Sequence, residues 1–213
     1  MQKPSGGISR EGFPAIFLVS LFTVVCAFLE AGFLATVGLV LTGFVLNFFR
    51  DPARVVPQED DVAVAPADGR VVKIETMIDP VTEQERTAVC IFMNVFNVHV
   101  NRMPVPGTVQ AIRYWPGKFF NASLDKASTD NERNAVQLMD NAGLSWTVVQ
   151  IAGFLARRIV CWAEKGDSFE RGQRFGLIKF GSRVDIYLPG EFEAKVLVGE
   201  KVLAGQTVIA QKK

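Results

Sequence analysis

Histidine is nearly absent from this chain: His99 is the only one in 213 residues. Cysteine is scarce as well. Cys26, Cys90 and Cys161 are odd in number, far apart and form no Cys-x-x-Cys pair. One imidazole and three scattered thiols leave nothing to build a zinc site from, and an unclustered odd set excludes a disulfide framework. The thiols read as small buried hydrophobes of a protein kept in a reducing compartment. Excess charge of either sign is also missing, since 23 basic and 22 acidic residues leave a net charge of +1. That balance argues against a nucleic-acid partner and against a disordered acidic chain. Internal repeats, a Gly-rich phosphate loop, a His-Glu-x-x-His pair and a Gly-x-Ser-x-Gly elbow are all lacking, which disfavours NTP-binding enzymes and conventional hydrolases.

What the chain has is apolar residues, 49% of the total, with a positive mean hydropathy of +0.21. The excess lies near the N-terminus. From Pro14 to Phe49 the only ionisable side chain is Glu30. Two apolar segments, Pro14–Leu29 and Ala31–Phe49, flank Glu30-Ala31-Gly32. The second approaches the ~20 residues of a spanning helix and the first is shorter. Lys3 and Arg10 precede the pair, and Arg50 and Arg54 follow it. Basic flanks on both sides predict a helical hairpin in the membrane with both ends cytoplasmic. The apolar stretch is too long for a cleaved signal peptide and has no Ala-x-Ala-like site. A hairpin buried in a soluble core is the remaining rival. Arg50-Asp51-Pro52 reads as the stop.

After Pro57 the texture changes to short β-branched runs between turn residues. Asp61–Ala65, Gly69–Thr76, Thr87–Met93, Gly107–Tyr114, Asn134–Asp140, Ser145–Ile151 and Arg183–Leu188 read as strands. Asp68-Gly69, Asn141-Ala142-Gly143 and Pro189-Gly190 read as turns. Phe154–Glu164 fits a short helix or a strand equally. The tail Ala194–Gln211, with apolar pairs around Gly199 and Gly205, predicts a tight hairpin. The expected fold is mainly β (α+β). It comprises residues 57–213 as a compact antiparallel barrel or sandwich, and residues 1–56 as the membrane hairpin with its juxtamembrane segment.

Three places offer chemistry. His99, in Asn97-Val98-His99-Val100-Asn101-Arg102-Met103-Pro104, is the only imidazole for acid–base work near neutral pH, although a lone histidine in an apolar run is more often a hydrogen-bonded core residue. Asp68, in Ala65-Pro66-Ala67-Asp68-Gly69, is by itself ordinary turn chemistry. Gly181-Ser182 interrupts a strand-like stretch, where a glycine suggests a bulge or kink. A kinked Gly-Ser bond is also what self-cleavage needs, because the hydroxyl must reach the preceding carbonyl. Asp125-Lys126-Ala127 and the Gly-rich tail share something with lipoyl and biotinyl carriers, so a membrane-tethered carrier or binding module stands as the rival of a different class. It predicts an uncut chain and a modified lysine.

In this order, several stretches together resemble the phosphatidylserine decarboxylase family, in its short bacterial and archaeal branch. They are Ala65–Gly69, Phe96–Pro104, Trp115-Pro-Gly-Lys-Phe-Phe-Asn-Ala-Ser-Leu-Asp-Lys-Ala127, Asn131-Glu-Arg-Asn134, Gln150-Ile-Ala-Gly153, Ala156-Arg-Arg158 and Phe180-Gly181-Ser182-Arg-Val-Asp185. The resemblance implies a proenzyme that cuts itself between Gly181 and Ser182, into a β chain of residues 1–181 and an α chain of residues 182–213. Ser182 becomes a covalent pyruvoyl cofactor, with no metal, and the two chains stay together as a heterodimer. It implies Asp68, His99 and Ser182 as the processing triad, with His99 oriented by Asp68. Longer members carry a second histidine where this chain has Arg102, which leaves either His99 to serve both processing and decarboxylation or one of the two steps to another group. The reaction implied is decarboxylation of phosphatidylserine to phosphatidylethanolamine, with an ether-linked archaetidylserine as the alternative lipid. Lys118, Phe119 and Phe120, beside Trp115, are candidates to enter the headgroup region, and Arg157, Arg158, Arg171, Arg174 and Arg183 to meet its anionic groups. The partners expected are the membrane lipid, a second copy in an isologous dimer, and no nucleic acid. The location expected is the cell membrane, with the catalytic domain on the cytoplasmic side.

Overall fold

The computed structural model describes residues 7–120, 130–153, 158–179 and 181–213. Asp125-Lys126-Ala127, Arg157, Phe180 and Lys3 lie outside the described residues, as does the start of the ambiguous Phe154–Glu164 stretch. The chain divides into two compact units, Met1–Ala53 and Arg54–Lys213.

The first unit is a helical hairpin. A 3-10 turn at Arg10–Gly12 runs into α1 (Phe13–Phe28), and α2 (Gly32–Phe48) returns beside it. The sequence points to the second segment as the longer. The turn at Arg10–Gly12 reverses this, making Arg10–Phe28 a continuous stretch of 19 residues against 17 for α2. That one helix is long and apolar enough to cross a membrane. Between the helices Glu30 takes a left-handed φ of 57°, which turns the chain where Glu30–Gly32 was expected to. The helices meet at small residues: a Cβ on Gly38 would lie 2.5 Å from Thr23 Oγ1, and Thr23 Oγ1 stands 3.3 Å from Thr42 Oγ1. Close approach at small residues is how apolar helices associate when lipid offers no hydrophobic drive. Their other faces display large apolar side chains, among them Phe17, Phe28, Phe33 and Val40, an area that water alone would not tolerate.

The second unit carries fourteen strands among the described residues. They are β1 (Val62–Val64), β2 (Gly69–Ile78), β3 (Glu85–Met93), β4 (Val100–Arg102), β5 (Gly107–Trp115), β6 (Arg133–Asp140), β7 (Ser145–Ala152), β8 (Arg158–Cys161), β9 (Ser168–Phe169), β10 (Arg174–Lys179), β11 (Ser182–Tyr187), β12 (Phe192–Ala194), β13 (Lys201–Val202) and β14 (Val208–Lys212). Eight form one sheet in the order β13-β2-β3-β11-β7-β6-β5-β9, which curls into a half-barrel. Two three-stranded sheets, β1-β14-β12 and β4-β10-β8, complete the unit. Every strand pairing is antiparallel. All seven strands read from the sequence are present. The ambiguous stretch is strand at Arg158–Cys161. The tail departs from a simple hairpin: β12 pairs with β14, but β13 between them crosses to β2 of the large sheet.

The main core gathers side chains from all three sheets, with Trp146, Ile91, Phe175, Ile178 and Ile209 fully buried. Burying each such side chain contributes about 1.5–3 kcal/mol. A smaller cluster of Val81, Ala88, Ala135, Val149, Ile151 and Tyr187 covers the other face of the large sheet. β11, at the centre of that sheet, is therefore covered on both sides. Its alternation sends Ser182, Val184 and Ile186 to the main core face and Arg183, Asp185 and Tyr187 to the other. Cys26 and Cys90 are buried and Cys161 is half-buried; all three are free thiols.

Candidate active site

β10 lies between β4 and β8 in a small sheet, and β11 lies between β3 and β7 in the large one. The chain changes sheets within the short passage from Lys179 to Ser182. Gly181 turns that corner with φ of +64°, a region that side-chain-bearing residues rarely adopt. A Cβ there would meet nothing within 4 Å, so the backbone angle rather than space calls for glycine.

Ser182 opens β11 with Met93 and Ala152 as its cross-strand partners. It is fully buried, and its Oγ has no hydrogen-bond partner among the described residues. Ser9 and Thr82 also carry buried hydroxyls without a partner among the described residues, and Ser182 differs from them in following the kinked Gly181.

His99, just before β4, is also fully buried. Its Nδ1 lies 3.0 Å from the Asn97 carbonyl, and its Nε2 lies 3.4 Å from the Gly181 amide nitrogen. A carbonyl only accepts and an amide N–H only donates, so Nδ1 carries the proton and Nε2 presents its lone pair to the Gly181–Ser182 segment. The Asn97 carbonyl is held in place by its own turn. Asn97 Oδ1 accepts from the Asn94 N–H at 2.9 Å, and Asn94 Oδ1 accepts from the Phe96 N–H at 2.9 Å. Such side-chain-to-backbone bonds are why asparagines suit turns.

Asp68 is buried at the start of β2. Register places it at the same sheet end: Arg70 pairs with Phe92 and Met93 with Ser182, so Gly69 and Asp68 fall in line with Met93 and Asn94, then Ser182 and Gly181. Two strand spacings, about 10 Å, separate its backbone from the Gly181 corner. Its Oδ2 accepts from Arg54 Nη2 at 2.7 Å, and its Oδ1 accepts from the Ala204 N–H at 2.8 Å. Arg54 Nη1 also reaches Gln206 Oε1 at 2.9 Å. The Asn97 carbonyl is thus one orienting contact of His99, and the Asp68 carboxylate is bonded to Arg54 and to the C-terminal tail. Arg102 donates from Nη1 to the Gly172 carbonyl at 2.9 Å, and its Cδ lies beside Gly205.

The expected lipid-facing residues separate into two groups. Arg158 is exposed and pairs with Lys179 across β8 and β10, two residues before Gly181. Lys118 and Phe120 are exposed and Phe119 packs against the core. Their segment is tied to the site by Asn131, whose Nδ2 donates to the Phe120 carbonyl at 2.8 Å and to the Ala152 carbonyl at 2.7 Å. Ala152 is the strand partner of Ser182. Arg171 instead donates to the Glu59 and Val62 carbonyls and lines a cleft with Asp140 and Phe192, at the opposite end of the sheet. Arg183 is interior, 2% exposed, with Nε and Nη2 bonded to the Asp185 carboxylate at 2.6 and 2.7 Å. Enclosed on the far face of β11, it does not meet a lipid surface. Burial opposes its charge, and the Asp185 carboxylate more than offsets that, holding the guanidinium protonated. The same enclosure, with Asp185 adding to it, pushes the Cys90 thiol and the Tyr187 phenol up. Among the described residues no three His, Cys, Asp or Glu side chains gather as a metal site.

A chain of buried amides on the Ser182 face was not anticipated. Asn134 Nδ2 donates to Gln150 Oε1 at 3.1 Å, and Gln150 Nε2 donates to Asn101 Oδ1 at 2.9 Å. Asn101 Nδ2 ends the chain at Met93 Sδ, 3.9 Å away. All three members lie in motifs quoted from the sequence, Phe96–Pro104, Asn131–Asn134 and Gln150–Gly153, but nothing there joined them.

Comparison with known proteins agrees with this picture. The family model described as phosphatidylserine decarboxylase matches residues 41–210. A protein of Oleidesulfovibrio alaskensis named phosphatidylserine decarboxylase proenzyme is 60% identical over 213 residues, covering 100% of this chain and 98% of the relative. A protein of the same name from Solidesulfovibrio magneticus is 56% identical, over 100% of this chain and 99% of its own length. One from Burkholderia mallei is 48% identical, over 99% and 98%.

Proposed function

The chain belongs to the phosphatidylserine decarboxylase family, and from that premise we propose that it is made as a proenzyme, cuts itself between Gly181 and Ser182, and decarboxylates phosphatidylserine to phosphatidylethanolamine. One arrangement carries the reading: a buried, unpartnered Ser182 hydroxyl follows a left-handed glycine whose amide faces the unprotonated nitrogen of the only histidine.

His99 Nε2 takes the Ser182 hydroxyl proton, and Oγ attacks the Gly181 carbonyl carbon. The C–N bond breaks, the nitrogen takes a proton, and an ester joins Gly181 to the Ser182 side chain. Removal of the Ser182 α-proton expels Gly181 as the C-terminal carboxylate of residues 1–181. Water then displaces the nitrogen of residue 182 as ammonia. The Asn97 carbonyl keeps the proton on Nδ1 and so keeps Nε2 available as a base. Asp68 is the third member of this set, an anion at the same sheet end as the imidazolium that forms.

The residues present fit the pyruvoyl group this would create, since Ser182 is enclosed by Met93 and Ala152 and has an imidazole beside it. When formed, that group supplies a carbonyl for the substrate amine and a sink for the electron pair left by CO2. His99 returns a proton to the substrate carbon. Arg158, exposed on β8 near the Gly181 corner, receives the anionic headgroup. Lys118 and Phe120, tied to Ala152 through Asn131, form the rim toward the lipid. The hairpin, with Arg10 and Arg50 at its base, anchors the enzyme with both ends on the cytoplasmic side.

Intact mass of the purified protein under denaturing conditions tests this. Two chains split after Gly181, the smaller lighter than its sequence by one ammonia, are expected. A single 23.4 kDa chain from an active preparation overturns the mechanism.

A further inference from the structure

The three buried amides on the Ser182 face run head to tail. Asn134 donates to Gln150, Gln150 donates to Asn101, and Asn101 turns its NH2 toward Met93, the cross-strand partner of Ser182. Asn101 and Gln150 are fully buried and Asn134 is 4% exposed. Each amide fixes the orientation of the next, so Asn101 cannot exchange its oxygen and nitrogen without breaking the bond to Gln150. The dipoles add, and their positive end is Asn101 Nδ2. There its partner among the described residues is a thioether sulfur at 3.9 Å, a weak acceptor. A strong donor spends its bond on almost nothing, next to the residue that pairs with Ser182. His99 stands two residues earlier in the chain, just before β4, and its carbonyl accepts from the Ile178 N–H at 3.3 Å.

The fold makes room for this chain at some expense. Gln150 belongs to the large sheet and Asn101 to the small one, and Gly176 lies between them. A Cβ on Gly176 would sit 2.7 Å from Gln150 Nε2 and 2.5 Å from the Val160 carbonyl. A network serving only to fill space would be replaceable by apolar residues without loss.

We propose that Asn101 Nδ2 is the donor that stabilises the oxyanion formed at the Gly181 carbonyl during self-cleavage, with Gln150 and Asn134 as the positioning residues that aim and polarise it. This rests on the self-cleavage reading above. As the Ser182 Oγ–carbon bond forms, the Oγ proton passes to His99 Nε2 and the carbonyl π pair moves onto oxygen. Asn101 leaves the sulfur and donates to that oxygen. When the pair returns, the C–N bond breaks and the nitrogen takes the proton from His99. No other reactant enters. A preoriented donor in a water-excluded site is worth about 10²–10³ in rate, and aligned amides polarise one another.

The test is the rate of self-cleavage in the full-length chain, followed by mass as the 182–213 fragment appears, with thermal unfolding as the check on folding. Asn101→Ala is expected to fold and to cleave about 10²–10³-fold more slowly. Asn134→Ser, at the far end of the relay, is expected to slow cleavage by a smaller factor. Should Asn101→Ala not fold, Gln150→Met is read in its place, since it keeps the volume and removes the amide that aims Asn101. Cleavage within threefold of wild type in a folded Asn101→Ala or Gln150→Met overturns the proposal. Ser182→Ala separates the two readings: if it too yields the fragment, the self-cleavage reading itself fails, whereas if it stays uncut while Asn101→Ala cleaves normally, only the role of Asn101 is lost.

Discussion

A buried hydroxyl with nothing to bond costs roughly 1–3 kcal/mol, yet Ser182 keeps one at the head of the central strand. Removing the hydroxyl should therefore relieve the fold while abolishing the chemistry. Ser182→Ala is expected to remain a single chain and to melt no lower than another uncut variant such as His99→Ala, measured by calorimetry on both. His99→Ala should itself stay uncut. Efficient cleavage in it would confine His99 to the decarboxylation step. At this scale the lone histidine stands out in the sequence, whereas Gly181-Ser182 is by itself an ordinary dipeptide that gains meaning only from the motif around it. The sequence is silent where function depends on register. Asn101, Gln150 and Asn134 are ordinary polar residues far apart in the chain, and only strand pairing brings them together. Arg183 misleads because an arginine in a strand normally points to water. The Asp185 two positions on, on the same face of β11, is the signal that it does not.

Strands and helices explain the next set of properties. Because β11 is covered on both faces, its Arg183–Asp185 ion pair is shut away from water, unlike the more exposed Lys73–Glu75 pair on β2. Asp185→Asn leaves the buried Arg183 charge unbalanced and should cost about 3–5 kcal/mol, read from denaturant unfolding. The same face sets a pH limit. Burial raises the Cys90 thiol from its ordinary 9.0 and the Tyr187 phenol from 10.0. The unfolded chain thus releases these protons at lower pH than the folded one. Stability from these groups is full below pH 9 and falls as pH rises beyond it. The melting temperature should drop between pH 8 and 10.5, and Cys90→Ala should reduce the drop. Gly176→Ala, whose Cβ meets a carbonyl and the Gln150 amide, should destabilise by roughly 1–3 kcal/mol and slow the appearance of the 182–213 fragment. Strand positions were legible from short β-branched runs bounded by turn residues, and the helical hairpin from its apolar length. The ordering of the two helix lengths was not, because a 3-10 turn at Arg10–Gly12 has no apolar signature of its own.

For the molecule as a whole, the strands after Ser182 are distributed rather than gathered. β11 enters between β3 and β7, β13 pairs with β2, and β14 joins β1 to β12. No strand of residues 182–213 stands apart from sheets shared with the rest of the chain. Asp68 adds a bond from Oδ1 to the Ala204 N–H, and Arg54 one to Gln206. After cleavage the two chains should co-elute in native size-exclusion chromatography and separate only in denaturant. Detergent should be required throughout, because the apolar faces of α1 and α2 are displayed rather than packed.

The change of sheet between β10 and β11 carries one more consequence. The site needs His99 from beside the small sheet, Ser182 and Asn101's partners from the large one, and the corner at Gly181 that joins them. If the chain cuts itself as proposed, one misfolded in either sheet cannot bring these groups together and does not acquire a reactive carbonyl. Under the proposed cleavage, the cofactor is a chemical receipt for correct assembly. The cut is also not undone: once denatured, a severed chain must find its partner at a concentration-dependent rate and thread a central strand back between two others. Each molecule folds as one chain, and what it keeps afterwards is the memory of having done so.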